Sequence, residues 1–270
     1  SYRGLEVLSM PPPSSGGIAL ISMLNMLEPM VFDSVRWHSA QHIQMLSEVE
    51  KRAYADRSVW LGDSDFLDVP QDKLLSKAYA SMRMAAYDSL SVTPSDSIYP
   101  LNDSQLAAIK LPGHESEETT HFSVVDKWGN AVSVTTTLNW SFGSYVTVEG
   151  YGFLLNNEMD DFSSKPGEPN SFGLIGNEAN AIAPKKRMLS SMTPTILAKD
   201  GKVVLVVGAP GGSTIITTVL QIINNMVDFG MPVHDAVNVP RFHHQWRPDV
   251  IHYGPGAISP ETMLVLRNMG

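Results

Sequence analysis

Three short segments carry residue types that together could perform acyl transfer through a hydroxyl nucleophile. Thr119 opens an alternating stretch, Thr137 and Asn139 follow it, and Gly211 and Gly212 lie further along the chain. A buried threonine hydroxyl is a poor nucleophile unless a base lies beside it. Cleavage of the backbone before Thr119 would create an α-amine on the same residue, with a pKa near ~8 that leaves a useful basic fraction at neutral pH. Thr119 is therefore predicted to be a nucleophile that becomes active when its own chain is cut.

The glycine pair is suited to the negative charge that such an attack develops. Gly211 and Gly212 have no side chains to obstruct a carbonyl group, and they approach a predicted helix. Backbone N–H groups at such a position can face a tetrahedral oxyanion. A plain tight turn in which Ser213 caps the helix is the alternative, and the two interpretations are compatible.

Thr137 and Asn139 are predicted to share one face of a strand. They lie two residues apart, so both side chains should project toward the face that Thr119 occupies across a hairpin. The alternative is a pair of ordinary polar residues on a solvated strand. Asn139-Trp140-Ser141 is also a glycosylation sequon, an interpretation that burial of Asn139 would disfavour.

Two further pairs could hold the charged groups of an amino acid. Glu158 and Asp161 lie three residues apart after a predicted apolar strand, Phe153–Leu155, so a turn could aim both carboxylates at one ammonium group. A calcium loop and a solvated acidic turn are the alternatives. Ser190 and Ser191 could donate hydrogen bonds to a carboxylate, although a Ser-Ser pair alone is no signal.

Periodicity predicts the elements that position these residues. Helical spacing predicts helices over Ile18–Leu27, from Ser39 onward with Ile43, Leu46 and Val49 on one side, over Gln71–Leu90 and over Thr214–Phe229. Alternation predicts two hairpins: one begins at Thr119 and turns at Lys127–Asn130, and one joins Thr195–Ala198 to Lys202–Val207. Strands precede helices in this order, which favours a layered α+β fold over a parallel α/β sheet.

Composition limits the classes of partner. The chain has 270 residues, 43% of them hydrophobic and 17% charged, which is typical of a globular enzyme. A formal net charge of −9 argues against nucleic acid, no apolar run is long enough to span a membrane, and no cysteine is present. His38 with His42, and His243 with His244, lack a third ligand at recognisable spacing, so neither a metal nor a cofactor is expected.

Several longer motifs resemble those of one enzyme family. They are Ser9–Gly17, Tyr54-Ala55-Asp56-Arg57, Thr119-Thr120-His121, Leu155–Phe162, Leu189–Met192, Pro210–Ser213 and Pro240–Trp246. With them the chain resembles the γ-glutamyltranspeptidase family of N-terminal nucleophile (Ntn) hydrolases over essentially its whole length.

The resemblance implies an αββα four-layer sandwich and a precursor that cuts itself between Glu118 and Thr119. Residues 1–118 would be the C-terminal part of the large-subunit region, with an exposed linker at about 91–118. Residues 119–270 would be the N-terminal part of the small subunit, and the two would form one intertwined domain and a heterodimer after processing. Part of the large subunit and the C-terminal strands would be missing, so weak or no activity is expected of this piece alone.

The resemblance also implies roles for the candidate residues. Thr119 would be the nucleophile supported by Thr137, and Gly211 and Gly212 the oxyanion site. Asn139, Glu158 and Asp161 would bind the α-amino group of a γ-glutamyl donor such as glutathione, and Ser190 and Ser191 would bind its α-carboxylate. An amino acid, a peptide or water would be the acceptor, and the compartment would be periplasmic or extracellular.

The chain departs from the family pattern at two places. None of its arginines maps onto the one expected to clamp the donor carboxylate. Phe172 stands in a predicted lid loop, Pro166–Asn177, where a tyrosine is common, and its ring cannot donate the hydroxyl hydrogen bond. An Ntn acylase for glutaryl-type side chains and a catalytically inactive binding domain are the alternatives to a γ-glutamyltransferase.

Overall fold

The computed structural model describes residues 1–100 and 119–270. Upstream of the gap, the elements are β1 (Glu6–Ser9), α1 (Gly16–Leu27), α2 (Ala40–Trp60), α3 (Gln71–Leu74) and α4 (Lys77–Arg83). Downstream, they are β2 (Thr119–Val125), β3 (Ala131–Thr137), β4 (Thr195–Lys199), β5 (Lys202–Val207), α5 (Ile215–Val227), α6 (Val233–Asn238), β6 (Phe242–His243), β7 (His252–Tyr253) and α7 (Pro260–Met269). Glu118 and the rest of the linker from residue 101 lie outside the described residues.

The two sides of this gap share one sheet and one hydrophobic core. Strand β1 pairs antiparallel with β4, which pairs antiparallel with β5. Helices α1, α2 and α5 pack together beside this sheet, and their apolar side chains merge into a single cluster. Its most deeply buried members include Leu20, Leu24, Leu46, Ile216 and Leu220. Residues upstream and downstream of the gap are therefore stabilised by the same apolar contacts.

Helix α2 begins where the sequence predicts. Ser39 is its N-cap and accepts a hydrogen bond from the backbone N–H of His42. The helix is not amphipathic, however, because every residue from His42 to Ser58 is buried. Some of its charged side chains form ion pairs within the helix, as Glu48 does with both Lys51 and Arg52. A helix with this environment can carry functional side chains on several faces.

One helix prediction for the upstream part is wrong. The helix predicted over Gln71–Leu90 is broken into α3 and α4, because Ser76 caps a new helix by accepting a hydrogen bond from Tyr79 N at 3.1 Å. Residues 91–100, the described part of the predicted linker, are largely exposed or half-buried, but Ser95 and Ile98 are buried. Their carbonyl oxygens accept hydrogen bonds from Nε1 of Trp246 at 3.0 and 3.1 Å.

The hairpin that begins at Thr119 has the predicted register. Thr119 pairs with Thr137 across β2 and β3, and Gly129 takes a φ of +88° in the turn. Its polar face packs toward β5, where Ser123 Oγ and Ser133 Oγ donate to the carbonyls of Val206 and Val207 at 3.2 and 3.1 Å. The apolar face is exposed and comprises Phe122, Val124 and Val132.

The second hairpin, β4 and β5, is also confirmed. The described residues thus form a mixed arrangement of helices with three separate sheets, β1-β4-β5, β2-β3 and β6-β7. Within these same ranges, each helix is too short or too polar to cross a lipid bilayer.

Candidate active site

The predicted nucleophile contacts the residue predicted to support it. Thr119 Oγ1 donates to Thr137 Oγ1 at 3.4 Å, as their paired positions in the hairpin require. Thr137 Oγ1 also accepts a hydrogen bond from the backbone N–H of Asn139 at 2.9 Å. The Thr137 hydroxyl therefore holds the side chain of Thr119 and the start of the following loop in one place.

Asn139 does not lie on the strand, contrary to the prediction. Strand β3 ends at Thr137, and Asn139 takes a φ of 74° that turns the chain away. Its side chain is 6% exposed, and its Nδ2 donates to the carbonyl of Asn157 at 3.3 Å. Asn139 therefore links the end of the nucleophile hairpin to the segment that carries Glu158.

The predicted carboxylate pair lies on one turn of 3₁₀ helix, Glu158–Asp161. Residues three apart eclipse one another in a 3₁₀ helix, so Glu158 and Asp161 share a side as predicted. The Phe153–Leu155 stretch before it is an irregular, largely exposed connection rather than a strand.

Burial changes the charge balance of this pair. Burial raises the pKa of Asp161 to about 7; the Arg57 charge opposes this rise, and Glu158 and Asp160 add to it. Burial also raises the pKa of Glu158. An ammonium group between the two carboxyls would favour their ionised forms and would be bound by them in return.

The serine pair is fastened to the N-terminus of α1. Ser15 Oγ donates to the carbonyl of Ser190 at 2.7 Å, and Ser14 Oγ donates to the carbonyl of Met192 at 2.7 Å. Gly16 permits this approach, since a Cβ there would lie 2.4 Å from the Met192 carbonyl oxygen. The Ser9–Gly17 motif therefore holds the backbone of the segment that carries Ser190 and Ser191.

Sequence reasoning assigned no role to two residues that connect these groups. Arg57 is 5% exposed and donates from Nε to Ser15 Oγ at 2.9 Å and from Nη2 to Ser191 Oγ at 3.3 Å. Asn180 donates to the carbonyl of Asp161 at 2.7 Å and accepts from the backbone N–H of Leu189 at 3.0 Å. The sequence signal for Arg57 was the Tyr54-Ala55-Asp56-Arg57 motif, but on a buried helix a functional residue cannot be told from a core residue by sequence.

The glycine loop has a conformation that side chains would disrupt. Gly211 and Gly212 have φ values of 127° and 52°, and a Cβ on Gly212 would lie 2.8 Å from the ring of Phe172. Ser213 does not cap α5, contrary to expectation, because Thr214 occupies the N-cap position. The Ser213 carbonyl instead accepts a hydrogen bond from Tyr54 Oη at 2.5 Å.

Phe172 in the predicted lid loop is buried rather than open to solvent. It is 7% exposed, belongs to the main apolar core and contacts Gly212. Gln245 Nε2 donates to its carbonyl at 3.3 Å. The loop thus lies next to the candidate oxyanion loop.

A close contact joins the nucleophile hairpin to the strand that enters the glycine loop. The ring of His121 packs on Gly208, where a Cβ would lie 2.3 Å from Nδ1. His121 Nδ1 also bonds Thr135 Oγ1 at 2.9 Å. Since Gly208 follows β5 directly, this contact sets the distance between the hairpin and Gly211.

A cavity of about 890 Å³ lies on another side of the glycine loop. Gly211 and Thr214 form part of its wall, together with Arg241, His243 and His252. Thr119, Glu158 and Asp161 do not line it. The cavity is therefore separate from the nucleophile and the carboxylate pair.

The paired histidines have hydrogen-bond partners within the core. His42 Nε2 bonds Asn224 Oδ1 at 2.8 Å, and His243 bonds Thr217 Oγ1 at 2.8 Å and Gln245 Oε1 at 3.0 Å. Among the residues with described positions, no three His, Asp or Glu side chains come together as metal ligands would.

Comparison with known proteins identifies the family. The model of the gamma-glutamyltranspeptidase family matches residues 1–270. The chain belongs to the γ-glutamyltranspeptidase family. It is 52% identical over 269 residues to a glutathione hydrolase proenzyme of Escherichia coli (strain K12), an alignment that covers 100% of this chain and 45% of that protein. The chain thus spans less than half the length of this relative.

Two solved structures are also similar. A γ-glutamyltranspeptidase from Pseudomonas nitroreducens complexed with L-DON is 57% identical, with a TM-score of 0.54 over 56% of this chain and 79% of that one. A cephalosporin acylase from Bacillus halodurans is 22% identical, with a TM-score of 0.76 over 100% of this chain and 44% of that one. The latter likeness shows a shared fold.

Proposed function

We propose that a full-length protein containing this chain transfers the γ-glutamyl group of glutathione and related compounds to water or to an amine. It would be synthesised as a precursor and would cut itself between Glu118 and Thr119. Membership of the γ-glutamyltranspeptidase family and the similarity to a glutathione hydrolase proenzyme support this proposal.

The proposed reaction has two steps that use Thr119. Its Oγ1 bonds to the γ-carbonyl carbon while its α-amine accepts the hydroxyl proton, and the backbone N–H groups of Gly211 and Gly212 stabilise the oxyanion. The C–N bond then breaks, and the leaving amine takes the proton from the Thr119 amine. Water or an acceptor amine attacks the resulting ester by the same route in reverse and restores the free hydroxyl.

One observation carries the choice of substrate: a carboxylate pair lies beside a serine pair. Glu158 and Asp161 suit an ammonium group, while Ser190 and Ser191 suit a carboxylate. Arg57 links the two, because it bonds Ser191 and its charge acts on Asp161. An α-amino acid head group presents both complementary charges on adjacent bonds.

The shared fold with a cephalosporin acylase makes a glutaryl-type donor the second candidate. Such a donor would present no ammonium group to Glu158 and Asp161, and the charge of Arg57 would then be the cation that acts on this half-buried pair. We therefore expect γ-glutamyl-p-nitroanilide to be hydrolysed well ahead of glutaryl-p-nitroanilide. The reverse preference would favour the acylase, and failure of a glutamine-analogue electrophile to label Thr119 would favour an inactive binding domain.

The proposal extends to architecture and location. Completed by the rest of its chain, the protein would form the αββα four-layer sandwich and a heterodimer of large and small subunits. Pairing of β1 with β4, and the exposed apolar face of the Thr119 hairpin, support a layered fold built from both subunits. Export to the periplasm or the cell exterior completes the proposal.

Replacing Thr119 by alanine tests the proposed nucleophile. In the full-length protein we expect Thr119→Ala to leave one uncut band on denaturing electrophoresis and to lower hydrolysis of γ-glutamyl-p-nitroanilide by at least about a thousandfold. The matched control is Thr120→Ala, since Thr120 is the next residue, is exposed and pairs with Thr136. Cleavage or turnover that survives Thr119→Ala would refute the role.

A further inference from the structure

Arg57 is a buried cation that, among the described residues, donates hydrogen bonds to two hydroxyl groups. It is 5% exposed, and within the described ranges no carboxylate oxygen lies at ion-pair distance from its nitrogens. Burial lowers the pKa of its guanidinium, which nevertheless stays charged near neutral pH. A buried charge with neutral partners is costly unless some other group supplies the opposite charge.

The hydrogen bonds of Arg57 have a fixed polarity, because a guanidinium only donates. Ser15 Oγ accepts from Arg57 Nε and donates its own hydrogen to the carbonyl of Ser190. Ser191 Oγ accepts from Arg57 Nη2, so its hydrogen must point elsewhere. Ser190 Oγ likewise accepts from the backbone N–H of Met192 at 3.0 Å.

Both serines of the pair are thereby oriented as donors. A hydroxyl whose lone pair is occupied by a donor directs its single hydrogen away from that donor. An anion that arrives at Ser190 and Ser191 then meets two O–H groups without the cost of reorienting them. The positive charge of Arg57, which is separated from that anion by the Ser191 hydroxyl, would stabilise it further.

We propose that Arg57 is a positioning residue that presents the Ser191 hydroxyl as a hydrogen-bond donor to the α-carboxylate of the substrate. Its charge also faces Asp161, so one buried cation serves both the carboxylate half and the ammonium half of the head group. This inference rests on the proposed function. It adds a cation that acts through Ser191 and does not itself touch the substrate.

The test compares two donors in the full-length protein. One is γ-glutamyl-p-nitroanilide. The other is 4-aminobutanoyl-p-nitroanilide, which keeps the ammonium group but has no α-carboxylate to bind near Ser191. We expect Arg57→Gln to raise KM for the first donor by about tenfold or more, with kcat changed less than about threefold. For the second donor we expect a clearly smaller rise in KM, because it loses only the effect of the Arg57 charge on Asp161 and not the Ser191 contact.

Arg57→Lys separates the effect of the positive charge from the effect of the guanidinium geometry. It also keeps the test usable if Arg57→Gln fails to fold, because lysine retains the buried charge. Lysine keeps the cation but not the two-pronged contact, so KM should fall between the parent and Arg57→Gln. In a Ser191→Ala background, Arg57→Lys should raise KM no further, because the hydroxyl through which Arg57 acts is gone.

The matched control is Arg52→Lys. Arg52 lies on the same helix, is 3% exposed and bonds Glu48 and the Arg83 carbonyl away from the site. It should lower stability without a change in donor KM. The inference is overturned if Arg57→Lys leaves KM unchanged, or if both donors lose activity equally. A parent protein that turns over no γ-glutamyl donor would instead refute the proposed function, and this inference with it.

Discussion

At the scale of single residues, the charge of Asp161 responds to pH near neutrality. Burial holds its pKa at about 7, with Arg57 opposing and both Glu158 and Asp160 adding to the rise. Near neutral pH this carboxyl is therefore shared between its neutral and ionised forms. Only the ionised form can pair with an ammonium group, so under the proposed function binding of the donor would be coupled to loss of a proton from Asp161.

We predict that kcat/KM for γ-glutamyl-p-nitroanilide falls as the pH is lowered through about 7, mainly through a rise in KM. The raised pKa means that protonation of Asp161 occurs at this pH rather than near 4, and protonation removes the partner of the donor ammonium. Asp161→Asn should raise KM by about tenfold or more and abolish the acid rise in KM, as initial rates at saturating and limiting donor would show.

Asp160→Asn is the control for this prediction. Asp160 adjoins Asp161 but bonds Ser171 on the lid segment. Its replacement should keep the acid rise in KM and move it only to somewhat lower pH, because Asp160 adds to the raised pKa of Asp161. The assignment to Asp161 fails if Asp161→Asn keeps the parent pH profile.

At the scale of elements, α2 supports both halves of the candidate site. Tyr54 and Arg57 lie three residues apart, so they project from one side of the helix. Tyr54 bonds the Ser213 carbonyl in the glycine loop, and Arg57 bonds Ser191 in the serine loop. Helix α2 thus fixes the position of the glycine loop, the proposed oxyanion site, relative to Ser191, a proposed hydrogen-bond donor to the substrate carboxylate.

We predict that Tyr54→Phe lowers kcat by about fivefold with little change in donor KM. The hydroxyl holds the loop of Gly211 and Gly212, whose contacts matter most when the oxyanion forms, and one lost hydrogen bond is worth about 1 kcal/mol. Steady-state kinetics of the full-length variant measure both constants.

Tyr87→Phe is the corresponding control. Tyr87 bonds Gln44 Oε1 at 2.8 Å, away from the glycine loop, so its loss should cost similar stability and leave kcat intact. Equal kinetic effects of the two substitutions would contradict a specific role for Tyr54.

Local patterns allowed some of these elements to be predicted, and tertiary contacts decided the rest. The Thr119–Thr137 register follows from alternation and from a Gly129 turn, both of which depend on neighbouring residues. The break at Ser76 could not be predicted, because a local cap there competes with an apparently continuous helical pattern. The Arg57 contacts join segments far apart in the chain, and no periodicity encodes them.

At the scale of the whole molecule, buried histidines make stability depend on pH. Burial lowers the pKa of His42 to about 4, while the bond to Asn224 opposes the shift and His38 adds to it. In its neutral form His42 can donate from Nε2 to Asn224 and accept at Nδ1 from His38 N at 3.0 Å. Protonation would turn Nδ1 into a second donor facing that N–H.

We predict that His42→Gln flattens the acid loss of stability. Because the folded pKa lies below the unfolded value of 6.5, the contribution of His42 is fully present above pH 6.5 and is lost as the pH falls toward about 4. Its full size is on the order of 3 kcal/mol. Urea unfolding of the full-length protein at several pH values between 7 and 4 measures the slope.

His234→Gln provides the comparison, since its side chain is 84% exposed and should leave the slope unchanged. Asp56, whose pKa burial raises to about 6, acts in the opposite direction and is common to all three proteins. A parental slope in His42→Gln would show that other groups control the acid transition.

Strand β1 lies on one side of the proposed cut and β4 on the other, yet they are neighbours in one sheet. If the peptide bond before Thr119 is broken, this ladder changes from an intramolecular pairing into an interface between two polypeptides without any change in its atoms. The partners then never have to find each other by diffusion. The interface between the two subunits would form while the uncut precursor folds. Such an interface can therefore be packed as tightly as a protein interior.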